Sequence, residues 1–156
     1  PGGADGVLLA QGSRSGGYAL FVQDNHLRYV HNYVGVEEYE VVADEMLPEG
    51  DVSARMEFEA TGDPDVASGK GVPATVRLYH DDAQVGEGEI PVTTPITTGL
   101  AAGLSCGYDA VNTVSDAYRD RQPFAFTGDI ARVTVDVSGE PFVHEEKVMD
   151  RLMARE

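Results

Sequence analysis

Acidic side chains are the most abundant chemistry-bearing groups in this sequence, and two pairs have strand spacing: Glu57 with Glu59, and Glu87 with Glu89. Side chains two residues apart on a strand share a face. A glycosidase needs such a pair, one carboxyl as acid and the other as nucleophile or base. The sandwich-glucanase pattern Glu-x-Asp-x-x-Glu is absent. Its nearest approach is Glu49-Gly50-Asp51, where Ala54 stands in place of the second Glu. The four carboxylates therefore read as solvated, and no catalytic residue is assigned.

Cys106 is the only thiol. A nucleophilic cysteine needs a histidine and an Asn or Asp beside it, and neither His80 nor His31 is tied to it by spacing. With Leu104, Ser105 and Gly107 around it, Cys106 reads as a small core hydrophobe. Calcium wants six to eight oxygens. Asp109, Asn112 and Asp116 crowd one loop and Asp63 and Asp65 another, but neither matches an EF-hand, and turn formation explains them. His26, His31, His80 and His144 lack zinc-ligand spacing. The Tyr29, His31, Tyr33 face reads as a packing surface first and a sugar platform second.

The elements that must position these groups are strands. Tyr18, Leu20 and Val22 share one face, with Ala19 and Phe21 opposite. Leu27, Tyr29, His31 and Tyr33 then alternate with Arg28, Val30 and Asn32. Asp24-Asn25 between them suits a tight hairpin turn, since both residue types tolerate left-handed backbone. This hairpin is expected to have one polar-flecked face and one that a second sheet must cover. A short buried strand is expected over 6–10, a loop over 12–17, a bend at Gly35 and a strand over 38–43. Residues 52–60 alternate most cleanly, with Val52, Ala54, Met56, Phe58 and Ala60 facing in. A second hairpin spans 74–80 and 85–90, and 107–123 reads as a long loop. Strands are expected over 100–106 and over 130–137, where Ala131, Val133, Val135 and Val137 alternate with Arg132, Thr134 and Asp136. Nine or ten short strands with regular turn signals predict an all-β fold: a two-sheet antiparallel sandwich over 1–141. Residues 142–156 form a C-terminal amphipathic helix or tail, in which Val148, Met149, Leu152 and Met153 sit at helical spacing. That stripe is expected to pack on its own sandwich or to pair with a second copy of the chain.

The length of 156 residues fits one domain, and 18 glycines with 8 prolines fit a turn-rich one. The formal charge of −16 opposes nucleic-acid phosphates and anionic membrane surfaces. No apolar run approaches the ~20 residues that span a bilayer. A lone cysteine allows no internal disulfide, so no oxidising compartment is implied and the cytoplasm is slightly favoured. Pro1 reads as a cut end of a longer protein.

Several stretches together resemble the C-terminal domain of large bacterial arylsulfatases of the actinobacterial type. They are Gly6-Val7-Leu8-Leu9-Ala10-Gln11-Gly12, Gly17-Tyr18-Ala19-Leu20-Phe21-Val22, Tyr29-Val30-His31-Asn32-Tyr33-Val34-Gly35, Gly86-Glu87-Gly88-Glu89-Ile90, Phe126-Thr127-Gly128-Asp129-Ile130 and the terminal Met153-Ala154-Arg155. They run through nearly the whole chain in the expected order, so Glu156 is expected to lie close to a natural C-terminus. The resemblance implies a concanavalin-like or jelly-roll sandwich that packs on the catalytic sulfatase domain of the same chain. In that family a Cys or Ser within Cys/Ser-x-Pro-x-Arg becomes formylglycine, and a divalent metal helps bind sulfate. Here Cys106 is followed by Gly107-Tyr108-Asp109-Ala110, so neither cofactor carries over to these residues. The implied role is a non-catalytic domain of a sulfuric ester hydrolase. The alternative is a carbohydrate-binding, lectin-like module, which the fold alone would support.

Overall fold

The computed structural model describes residues 3–95, 103–109 and 112–137. The expected C-terminal helix lies outside these residues. Four strands open the chain: β1 (Gly6–Ser13), β2 (Gly16–Gln23), β3 (His26–Tyr33) and β4 (Glu37–Met46). A second group follows: β5 (Ala54–Ala60), β6 (Ala74–His80) and β7 (Ala83–Ile90). The short β8 (Leu104–Cys106) then adds to β1. The result is the expected all-β, two-sheet antiparallel sandwich, with strand orders β4-β3-β2-β1-β8 and β5-β6-β7.

The organising turn forms as its residue types dictate. Asp24 and Asn25 both take positive φ, 52° and 62°, and Gln23 pairs with His26 across them. Such a two-residue turn matches the right-handed twist of the strands it joins. Asn25 does more than turn the chain. Its Oδ1 accepts the Ala4 N–H at 3.0 Å, and its Nδ2 donates to the Leu47 carbonyl at 3.0 Å.

Four expectations need correction. Residues 12–17 are not an open loop, because Gly12 pairs with Gly17 and Ser13 with Gly16 around a two-residue turn. The Tyr18–Tyr33 hairpin is covered on both faces rather than one. Leu20, Val22, Leu27 and Tyr29 join the inter-sheet core with Val76 and Leu78. On the other face Ala19, Phe21 and Val30 pack against Val114, Tyr118 and Phe124. The supposed long loop thus forms a third layer, with a 3-10 turn at Asp116–Arg121. Cys106 is exposed on the edge strand β8, not in the core. Residues 130–137 join no ladder, and 131–137 are all exposed, so eight strands stand among the described residues.

The two sheets are not evenly spaced. Along one side β7 packs closely on β4. A Cβ at Gly88 would lie 2.7 Å from Val41 Cγ2, and one at Gly86 would lie 2.9 Å from the Val42 carbonyl oxygen. Only glycine admits that approach. On the opposite side the sheets part, leaving the apolar face of β5 half covered. Its Phe58 is 42% exposed although it belongs to the inward-facing set.

Gly88→Ala should therefore destabilise the protein by about 1–3 kcal/mol, as overpacking does. Phe21→Ala, which empties the second core, should cost about 3–5 kcal/mol. Val36→Ala on the surface should stay within about 0.5 kcal/mol. Urea unfolding of the three variants tests the ranking; a silent Gly88→Ala would contradict the close approach.

Candidate functional site

The parting of the sheets creates a large cleft of about 2510 Å³. One wall comes from β1–β3, through Leu8, Tyr18, Tyr29 and His31. The other comes from β5, through Ala54, Met56 and Phe58. Residues 128–137 run along it as well. Small-molecule sites usually enclose about 300–1,000 Å³. This cleft is more than twice that range and is open, so it suits an extended segment better than a compact ligand.

His31 is its most unusual group. The imidazole is 7% exposed, and its Nε2 accepts the backbone N–H of Thr94 at 3.2 Å. That bond places the ring proton on Nδ1, which has no partner among the described residues. Thr94 Oγ1, on the same wall, is also buried without a partner. Burial pushes the His31 pKa down to about 4, so the ring is neutral at pH 7. A neutral imidazole with its acceptor nitrogen engaged can donate one hydrogen bond into the cleft, but it is poorly placed to act as a base.

The tyrosine face is packing. Tyr29 is 2% exposed and stacks on Tyr18 with ring centroids 6.4 Å apart, while the Tyr33 hydroxyl donates to the Gly69 carbonyl at 2.9 Å. Tyr29 therefore offers no open ring face for a sugar.

The sequence-marked carboxylates are brought together, but into ion pairs. Antiparallel register places Glu57, Arg77 and Glu87 in one row across β5, β6 and β7, with Glu59, Thr75 and Glu89 in the next. Arg77 donates to Glu59 and Glu87, both at 2.7 Å. Glu57 accepts from Arg55 and from the Tyr79 hydroxyl, and Glu89 accepts from the Thr75 hydroxyl at 2.9 Å. These pairs lie on the outer face of the smaller sheet, where exposed ion pairs contribute about 0–1 kcal/mol each.

The Asp109 loop is likewise committed to structure. The Asp109 carboxylate is 2% exposed; its Oδ2 accepts the Val114 N–H at 2.7 Å and the Tyr118 hydroxyl at 2.8 Å. Asp116 pairs with Arg119, and Asn112 is exposed. Asp65 caps the short turn at Val66–Ser68. Among the described residues no three His, Cys, Asp or Glu side chains are grouped to hold a metal ion. His144 lies outside those residues.

Sequence reasoning missed Thr94, Asn32 and Glu38. Thr94 sits in an irregular segment with no local signal. Asn32 reads as part of the strand face it shares with Arg28 and Val30, and Glu38 as the start of a strand, yet both bind the covering layer. Asn32 Nδ2 donates to the Val114 carbonyl at 2.7 Å, and Glu38 accepts from the Ser115 hydroxyl at 2.6 Å and from the Asp116 N–H at 2.9 Å.

Comparison with known proteins yields no matching family model, no similar curated protein and no similar solved structure.

Two measurements follow. The folded pKa of His31 lies below the unfolded value of about 6.5, so its neutral form favours folding. Its stabilisation is complete above pH 6.5 and declines as pH falls towards 4, by on the order of 2–3 kcal/mol. Urea unfolding across that window should show a shallower decline for His31→Gln than for the unsubstituted chain. Asp109→Ala strands two buried donors and should cost about 3 kcal/mol. Millimolar calcium should leave the melting temperature unchanged, and a calcium-dependent rise would reopen the loop as a cation site.

Proposed function

We propose that this chain is a non-catalytic accessory sandwich of an arylsulfatase-type enzyme, one that packs against the catalytic sulfatase domain of its own polypeptide. Two things support the reading. The first is the ordered string of arylsulfatase-like stretches from Gly6 to Ile130, laid on a fold of the class that the resemblance implies. The second, which carries the proposal, is the fate of the chemistry-bearing side chains. Asp109 is spent on Val114 and Tyr118, and Glu57, Glu59, Glu87 and Glu89 are spent on neighbours across the smaller sheet. His31 is neutral, and its Nε2 is engaged by a backbone amide.

Nothing of that set resembles a sulfate-ester site, which needs a nucleophile together with a cationic or metal clamp for the developing charge. Formylglycine and the divalent metal would belong to the catalytic domain, and the parent enzyme would hydrolyse sulfate esters. The accessory sandwich would contribute packing surface and shape substrate access.

An assay of this chain on p-nitrophenyl sulfate, with added calcium or magnesium, should give no turnover above a metal-matched blank. Sulfatase activity that copurifies with the chain through two unrelated columns would overturn the reading.

A further inference from the structure

We infer that residues 130–137 form a strap that closes the cleft by adding to the free edge of β5 as a fourth, antiparallel strand of the smaller sheet. This rests on the fold alone and is independent of the sulfatase reading. β5 is the terminal strand in the order β5-β6-β7, so among the described residues one row of its backbone N–H and C=O groups has no ladder. Residues 131–137 carry no ladder either and lie along the same cleft as β5. Each is a partly uncovered, strand-patterned segment. Phe58 on β5 is 42% exposed, and Val133 and Val135 on the strap are 38% and 51% exposed.

The two patterns fit one register. Pairing Val133 with Phe58, Val135 with Met56 and Val137 with Ala54 turns Ala131 and all three valines of the strap inward. The same register sets Arg132 beside Glu59 and Asp136 beside Arg55 on the outer face, with Thr134 beside Glu57. A slip of one residue would turn the valines outward. A slip of two loses one of the charge pairs, or sets Asp136 against Glu57. A parallel arrangement that sets Val133, Val135 and Val137 beside Met56, Phe58 and Ala60 puts Arg132 against Arg55 and Asp136 against Glu59, and one that sets them beside Ala54, Met56 and Phe58 puts Asp136 against Glu57. Directly opposed like charges destabilise a sheet and opposed unlike charges stabilise it, so charge selects the antiparallel register.

The root of the strap is already anchored. Phe126 N–H donates to the Gly107 carbonyl at 2.9 Å, and Thr127 N–H donates to the Asp5 carbonyl at 2.8 Å. Gly128 follows at once, so closure needs only a swing about that position. Closing would cover Phe58 and Met56 and remove an unpaired edge that could otherwise recruit a strand from another chain.

Paired cysteines test the register in the full chain with Cys106→Ser. Glu57→Cys with Thr134→Cys would stand directly opposite, within the Cα separation that a disulfide spans. Mild oxidation should remove both free thiols from this variant. It should leave both in Arg55→Cys with Arg132→Cys, which stand opposite in the parallel register that sets the valines beside Met56, Phe58 and Ala60. If the first pair stays reduced, or if both pairs oxidise equally, the strap is wrong. Hydrogen exchange on the unsubstituted chain gives a reading free of folding defects. Alternate amides within 131–137 should exchange roughly tenfold or more slowly than unstructured ones. Uniformly unprotected amides there would also overturn the proposal.

Discussion

Two residues without side chains, Gly86 and Gly88, let the backbone of β7 come into contact with β4, and the rest of the sandwich takes its shape from that approach. With the sheets pinned along β4 and β7, the inter-sheet core of Leu20, Val22, Leu27 and Tyr29 against Val76 and Leu78 is complete. Away from the pin the sheets diverge. The cleft is therefore no separate feature. It is the far side of a wedge whose near side is closed by glycine, and it leaves the inward face of β5 without a full partner. Any residue larger than glycine at 88 pushes on Val41, and so on the strand that carries Glu38, the acceptor for Ser115 and Asp116 in the outer layer.

The outer layer explains why so acidic a chain tolerates a buried carboxylate. Asp109 sits beneath the surface, where its carboxylate accepts two hydrogen bonds from donors of its own loop. Tyr118 is the other half of that bond. Its ring packs on Phe21 at 5.0 Å and on Phe124 at 5.1 Å, and burial together with the Asp109 charge raises the pKa of its hydroxyl. One polar contact thus fixes the depth at which an aromatic cluster seats on the larger sheet. Glu57, Glu59 and Glu87 on the smaller sheet follow the opposite logic: exposed, paired with Arg55 or Arg77, and replaceable one at a time.

Fold class and most strands were legible because their signals are local. Asp24-Asn25 announces its turn by residue type, and the alternation at 54–60 announces a strand. The errors came where local pattern and tertiary placement diverge. Gly12, Gly16 and Gly17 read as loop because glycine usually does, but here positive φ at all three lets the hairpin turn tightly. The covering layer read as loop because Val114, Tyr118 and Phe124 follow no period; each is buried by what lies beneath it. Of the candidate site, His31 was visible as part of a strand face. Its tautomer depends on Thr94, which is 63 residues away in sequence and marked by nothing nearby. Cys106 was misplaced because a short edge strand gives too few residues to show which way each one faces.

The order of the strands also sets the order in which the domain can assemble. β1 to β4 are joined by turns of two or three residues and, apart from the later addition of β8 to β1, pair with neighbours in sequence. A chain emerging from its N-terminus can form that meander before the rest exists, since short loops close with little entropic cost. The outer layer cannot join so early. Asn32 waits for Val114 across 82 residues, Ala10 for Ser105 across 95, and Asp5 for Arg121 across 116. Until those contacts arrive, Ala19, Phe21 and Val30 present an apolar face to solvent, and contacts of such separation form slowly. The two-sided burial that makes this sheet the centre of the finished domain is thus also what leaves the nascent chain exposed for longest, with a sticky surface that only its own later half can cover.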